Sequence, residues 1–166
     1  MKRKTLLALI MLAATSWAWA GDGDKYFSLN AGFLVPNTLN VQFGFEKELK
    51  YGNAIELYGE AGNRYRKDPV CGKFCSDTFW DGYYWAGGAS YKKAISKGKN
   101  SLLRFRIGPV FGAYKGDFSY GVDLSFEYNI QLENGMQIVF TQKNQINFNY
   151  GDDFRNGILV GFKCPI

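Results

Sequence analysis

From Lys25 onward, apolar and polar side chains alternate with a period of two, and turn-forming residues interrupt the alternation at short intervals. The last stretch, Phe154 to Ile166, shows the pattern best. Phe154, Ile158, Val160, Phe162, Cys164 and Ile166 fall on one side of an extended strand, with Asn156 the one polar break among them. Arg155, Gly157, Leu159, Gly161 and Lys163 fall on the other. Successive residues of a strand face opposite ways, so this strand is expected to separate two different media. Closing the last strand onto the first would leave no open sheet edge.

Seven earlier segments repeat the pattern. They are expected at Tyr26 to Leu34, Leu39 to Glu46, Ala54 to Gly62, Gly82 to Lys92, Leu102 to Tyr114, Phe118 to Tyr128 and Met136 to Lys143. Pro36-Asn37-Thr38, Tyr51-Gly52-Asn53, Lys115-Gly116-Asp117 and Asn134-Gly135 supply the turn chemistry. A long polar loop, 63–81, separates the third and fourth strands. Pro109 predicts a bulge or a weakly paired position inside the fifth, because proline lacks the N–H that a ladder needs. Beyond Lys143 the alternation fades, and the upper end of the seventh strand through Asn147 has no readable face.

The reading is all-β: an eight-stranded antiparallel up-and-down transmembrane β-barrel with both termini at one end. A soluble barrel would alternate equally well but would put its apolar side chains inside. Two features favour the membrane form. Gly32, Gly44, Gly88, Gly108, Gly112, Gly121, Gly157 and Gly161 lie on the polar face, where a narrow lumen needs small residues. Aromatic residues such as Phe27, Phe33, Tyr83, Tyr91, Phe118 and Tyr128 lie toward the ends of the apolar face, as interfacial girdles do. With the polar face inward, Glu46, Glu56, Glu60, Asp123 and Glu127 share the lumen with Lys92, Arg104, Arg106, Lys143 and Lys163. Ions packed that closely must pair. The pairs could line an ion path, but eight strands leave little room for water, which favours a plug of salt bridges.

Residues 1–20 read as a secretory signal peptide: basic Lys2, Arg3 and Lys4, an apolar run from Leu6 to Ala14, and the Ala18-Trp19-Ala20 cleavage pattern. The remaining 146 of 166 residues suit one barrel domain, 21–166. Removing three of the 20 basic residues leaves 17 against 15 acidic ones, so the basic balance argues for no nucleic-acid partner. Cys71 and Cys75 in the long loop are expected to form a disulfide in an oxidising compartment. There is no histidine, which removes Ser-His and Asp-His machinery and any histidine-completed zinc site. With no phosphate-binding loop either, no catalytic residues, metal or cofactor are expected.

Arg155, Gly157, Val160 and Phe162 resemble the terminal assembly signal of bacterial outer-membrane barrels, with Ile166 replacing the usual final aromatic. The resemblance implies insertion into outer-membrane lipid by the outer-membrane assembly machinery of a Gram-negative cell. A second resemblance covers residues 82–164. It rests on Ala86-Gly87-Gly88-Ala89-Ser90-Tyr91, Gly108 to Tyr114, Phe118-Ser119-Tyr120-Gly121 with Phe126-Glu127, and Gly151-Asp152-Asp153-Phe154-Arg155 with Gly161-Phe162. These segments look like the TraO family of conjugative-transposon proteins. That resemblance implies an envelope role in conjugal DNA transfer beside other transfer proteins. The alternatives are a general surface barrel for adhesion or envelope integrity, and a small pore.

Overall fold

The computed structural model describes residues 23–65, 82–149 and 154–166. The expected signal peptide and the Cys71–Cys75 loop lie outside them. Eight strands follow in order: β1 (Lys25–Val35), β2 (Thr38–Glu48), β3 (Ala54–Arg64), β4 (Tyr83–Lys97), β5 (Ser101–Tyr114), β6 (Asp117–Gln131), β7 (Gln137–Asn147) and β8 (Phe154–Pro165). Each pairs antiparallel with the next, and β8 pairs with β1 to close the barrel. Closure gives every strand two partners, so no row of backbone donors and acceptors is left open.

Several strands run further than the alternation predicts. β3 includes Asn63 and Arg64, β4 continues to Lys97, and β6 reaches Gln131. β7 starts at Gln137 and reaches Asn147, through the stretch where all side chains are polar. The bulge falls elsewhere than Pro109. Pro109 pairs with Val122 on β6 in unbroken register. On the β4 side the ladder skips from Gly88–Val110 to Tyr91–Ile107 without a shift, so proline weakens pairing there but inserts nothing. The register shift lies between Ala94 and Ser96 on β4.

The two faces are opposite in kind. Lys92, Arg104, Lys143 and Lys163 are fully buried, while Phe33, Phe118 and Ile158 are more than 60% exposed. A water-soluble barrel would reverse this, so the hydrophobic surface belongs against lipid. At the end opposite the termini, Phe118, Tyr120 and Phe148 form one aromatic run, with ring centroids 6.2 and 5.8 Å apart.

At the closing seam, β8 and β1 approach too closely for a side chain. A Cβ at Gly161 would stand 2.6 Å from the Cα of its partner Asn30. Valine at Gly161 is therefore expected to prevent closure. The folded, heat-modifiable band on gels should be lost in Gly161→Val and kept in Ala31→Val, which also introduces valine at the seam but on the exposed outer face, beside Gly161's partner Asn30.

Candidate functional site

The inner face of each strand carries its polar residues into the lumen, and there they form a lattice of ion pairs. The half nearer the termini is a square drawn from the four even-numbered strands. Lys92 on β4 contacts Glu46 of β2 at 2.6 Å and Glu127 of β6 at 2.5 Å. Lys163 on β8 contacts the same two carboxylates at 2.6 Å each. Two ammonium groups thus alternate with two carboxylates, and each charge touches two of opposite sign. Arg104 caps the square. Its Nη1 meets Glu46 at 2.6 Å, its Nη2 lies 3.3 Å from Glu48, and its Nε donates to the Gly52 carbonyl at 2.8 Å. Gly52 holds φ at +78°, a backbone conformation that favours glycine, so the tight β2–β3 turn offers its carbonyl to the lattice.

The second half lies further from the termini. Arg106 divides its guanidinium between Glu56 and Asp123, 3.3 Å from each. It bridges two carboxylates and does not grip one with both arms. Lys143 pairs with Glu60 and lies 3.4 Å from Asp123. Lys92 joins the halves through Glu56 at 3.2 Å. Ser28 and Ser90 donate to Glu56, and Ser125 donates to Asp123. The paired set is Glu46, Glu56, Glu60, Asp123 and Glu127 against Lys92, Arg104, Arg106, Lys143 and Lys163; a sixth buried cation among the described residues, Arg155, stands outside it and stacks on Tyr84. Removing ions from water costs several kcal/mol apiece, and pairing with opposite charges offsets that cost.

Two tyrosines fill the space between charges, and the alternation alone did not single them out. Tyr58 donates to Asp123 at 3.4 Å and lies under the Arg106 guanidinium, 4.0 Å from its ring centroid. Its two cross-strand neighbours are Gly44 and Gly88. A Cβ on Gly88 would stand 2.8 Å from the Tyr58 ring, so glycine makes the room that tyrosine occupies. The readable signal was an inward tyrosine at the parity of its neighbouring carboxylates, Glu56 and Glu60. Tyr84 repeats the device beside Gly62, accepting a hydrogen bond from Asn40.

The four residues of the assembly pattern divide between the faces. Arg155 points inward and stacks over Tyr84 at 4.0 Å; Gly157 sits at the seam against Leu34. Val160 and Phe162 point outward and are exposed. Beyond the lattice at the termini end, a cleft of about 180 Å³ is bordered by Tyr26, Glu48, Asn129 and Gln137. At the other end the space beside Arg155 and Tyr114 is about 10 Å³, close to the minimum for one water. Among the described residues no group of Cys, Asp and Glu is arranged to hold a metal ion.

This geometry defines an outer-membrane-type barrel: eight closed antiparallel strands, a largely apolar exterior and an ion-paired interior. Comparison with solved structures agrees. The chain is similar to a designed protein described under the de novo design of transmembrane β-barrels, at 8% identity and a TM-score of 0.54, covering 88% of this chain and 98% of that one. It is also similar to Ail, the attachment invasion locus protein of Yersinia pestis, at 9% identity and a TM-score of 0.53, covering 88% of this chain and all of Ail. No family model and no curated protein matches the sequence.

Arg106→Ala is expected to cost ~3–5 kcal/mol of stability by leaving buried carboxylates short of a partner. Adding Asp123→Asn should recover part of that loss, because one cation and one carboxylate are then removed together while Lys143 keeps Glu60. Denaturant unfolding of the protein refolded in lipid vesicles measures both.

Proposed function

We propose that the protein is a structural surface barrel of a Gram-negative outer membrane, held in lipid by its apolar outer face, closed to ions by its own side chains and non-catalytic. The observation that carries this reading is the lattice itself. Ten buried charges cross-link the lumen, and each is already bound to an opposite one. A permeating ion would have to displace several such pairs at once. With the lumen closed, contacts with the surroundings fall to the outer face and the two ends. The likeness to Ail, whose name speaks of attachment and invasion, supports a role in surface contact or envelope integrity. Insertion would rely on the outer-membrane assembly machinery reading Arg155, Gly157, Val160 and Phe162.

A second reading rests on the TraO-like segments between residues 82 and 164. In it the same closed barrel serves a conjugal transfer apparatus. A run of transfer genes beside its own gene, and reduced DNA transfer on deletion, would favour this reading over the general one.

The expected outcome for the leading proposal is recovery in the outer-membrane fraction, heat-modifiable migration and no steady conductance in planar bilayers. Recovery as a soluble periplasmic protein would overturn the membrane assignment. Steady ion-selective conductance would replace the closed scaffold with a pore.

A further inference from the structure

Apart from residues toward its ends such as Lys47, Lys93 and Asn63, the outer face of the described barrel is apolar except for one patch within its wall. Gln142 and Asn144 on β7 and Asn156 on β8 all point outward and are half-buried. Asn144 and Asn156 are direct cross-strand partners. Gln142 donates to Asn144 at 2.9 Å, Asn144 donates back to Gln142 at 3.0 Å, and Asn156 donates to the same Asn144 oxygen. The surrounding outward positions are apolar: Phe140 and Ile146 along β7, Phe154 and Ile158 along β8, and the cross-strand partners Leu124 and Val35.

The patch lies well inside the membrane. At a tilt of about 40°, each strand residue advances roughly 2.5 Å along the barrel axis. Asn144 stands four residues before Phe148, which belongs to the aromatic run at that end. The amide is therefore roughly 10 Å inside that tier, beyond the reach of headgroups and water. Each amide carries two N–H donors. The three bonds within the patch use one donor from each residue, leaving the other facing hydrocarbon, where nothing accepts it.

We propose that this patch is an interface at which two copies of the chain associate within the bilayer. The patch is neutral and holds donors and acceptors in the same groups, so it complements itself. A two-fold axis along the membrane normal would set the amides of one copy against those of the other, with each surplus donor facing an acceptor. The apolar residues around the amides then form the dry rim of the contact. Acyl chains offer no hydrogen-bond partner, and a charged partner would meet no counter-charge here.

The inference rests on the reading of the outer face as a membrane surface; heat-modifiable migration is scored separately, so failure of that reading shows as loss of the folded band. The test is sedimentation equilibrium of the folded full chain in density-matched micelles. The parent should show a monomer–dimer equilibrium, and Gln142→Leu with Asn144→Leu and Asn156→Leu should weaken it at least tenfold. Tyr91→Leu, on the opposite wall, should leave it unchanged. Should the triple variant fail to fold, a second measurement stands. In a chain whose native cysteines are serine, Ile158→Cys should cross-link to dimer on oxidation in vesicles, whereas Tyr91→Cys should not. A parent that stays monomeric would overturn the proposal and assign the patch to a polar group of a different membrane protein. Dimers undiminished in the triple variant, or cross-links equal at both cysteine positions, would overturn it as well.

Discussion

Ion pairing across the lumen is the constraint on which the rest of this structure depends. Five carboxylates and five of the six buried cations among the described residues form one lattice, and nearly every member touches two or more of opposite sign. Such a lattice is not a set of separate bonds. Removing one member unbalances neighbours that lie on other strands. The partners are also remote in sequence: Lys163 meets Glu46 across 117 residues. The square of Lys92, Glu46, Lys163 and Glu127 can exist only when β8 has reached β1, since its four corners come from strands spaced evenly around the closed wall. Electrostatics therefore rewards one closed register, and a strand slipped by one residue would turn its charges out into lipid.

The outer face follows from the same choice. A strand has two faces, and once charge fills one, the other must satisfy lipid. Width is the remaining variable. Eight strands enclose a space that long side chains fill only if something yields, and glycine yields at defined points. Tyr58 lies between Gly44 and Gly88, and Tyr84 lies beside Gly62. Gly62 and Gly88 thus match individual tyrosine rings, whereas Gly108, Gly112 and Gly121, like Gly157 and Gly161 at the seam, let backbones approach.

Strand number, direction and facing were legible in the sequence because alternation has high amplitude wherever aromatics oppose charges, as from Phe118 to Tyr128. The ten lumen charges were legible for the same reason. Which charge would meet which was not, because the meeting is set by the stagger around the barrel, and no spacing along one strand encodes that. Local legibility failed where the amplitude vanished. Gln142-Lys143-Asn144-Gln145 is polar at every position, so beyond Lys143, which shares the parity of Gln137 and Thr141, only the ladder reveals that Asn144 faces out and Gln145 faces in. The bulge between Ala94 and Ser96 carries no glycine or proline to announce it. Pro109 carried the signal but took the milder consequence, because losing one donor interrupts a ladder without adding a residue to it.

A designed chain and a natural surface protein both match this barrel at under a tenth sequence identity. What the three share is therefore the fold of a small membrane barrel, reached from almost unrelated sequences. Features belonging to this chain in particular lie outside what that fold requires. Replacing the amides of Gln142, Asn144 and Asn156 by apolar residues would satisfy lipid better and would leave the lumen lattice untouched. A costly group that neither closure nor ion pairing requires is accounted for by something outside the single barrel. That directs attention to the outer wall and the ends of this protein, because the lumen charges of the lattice are already engaged with one another.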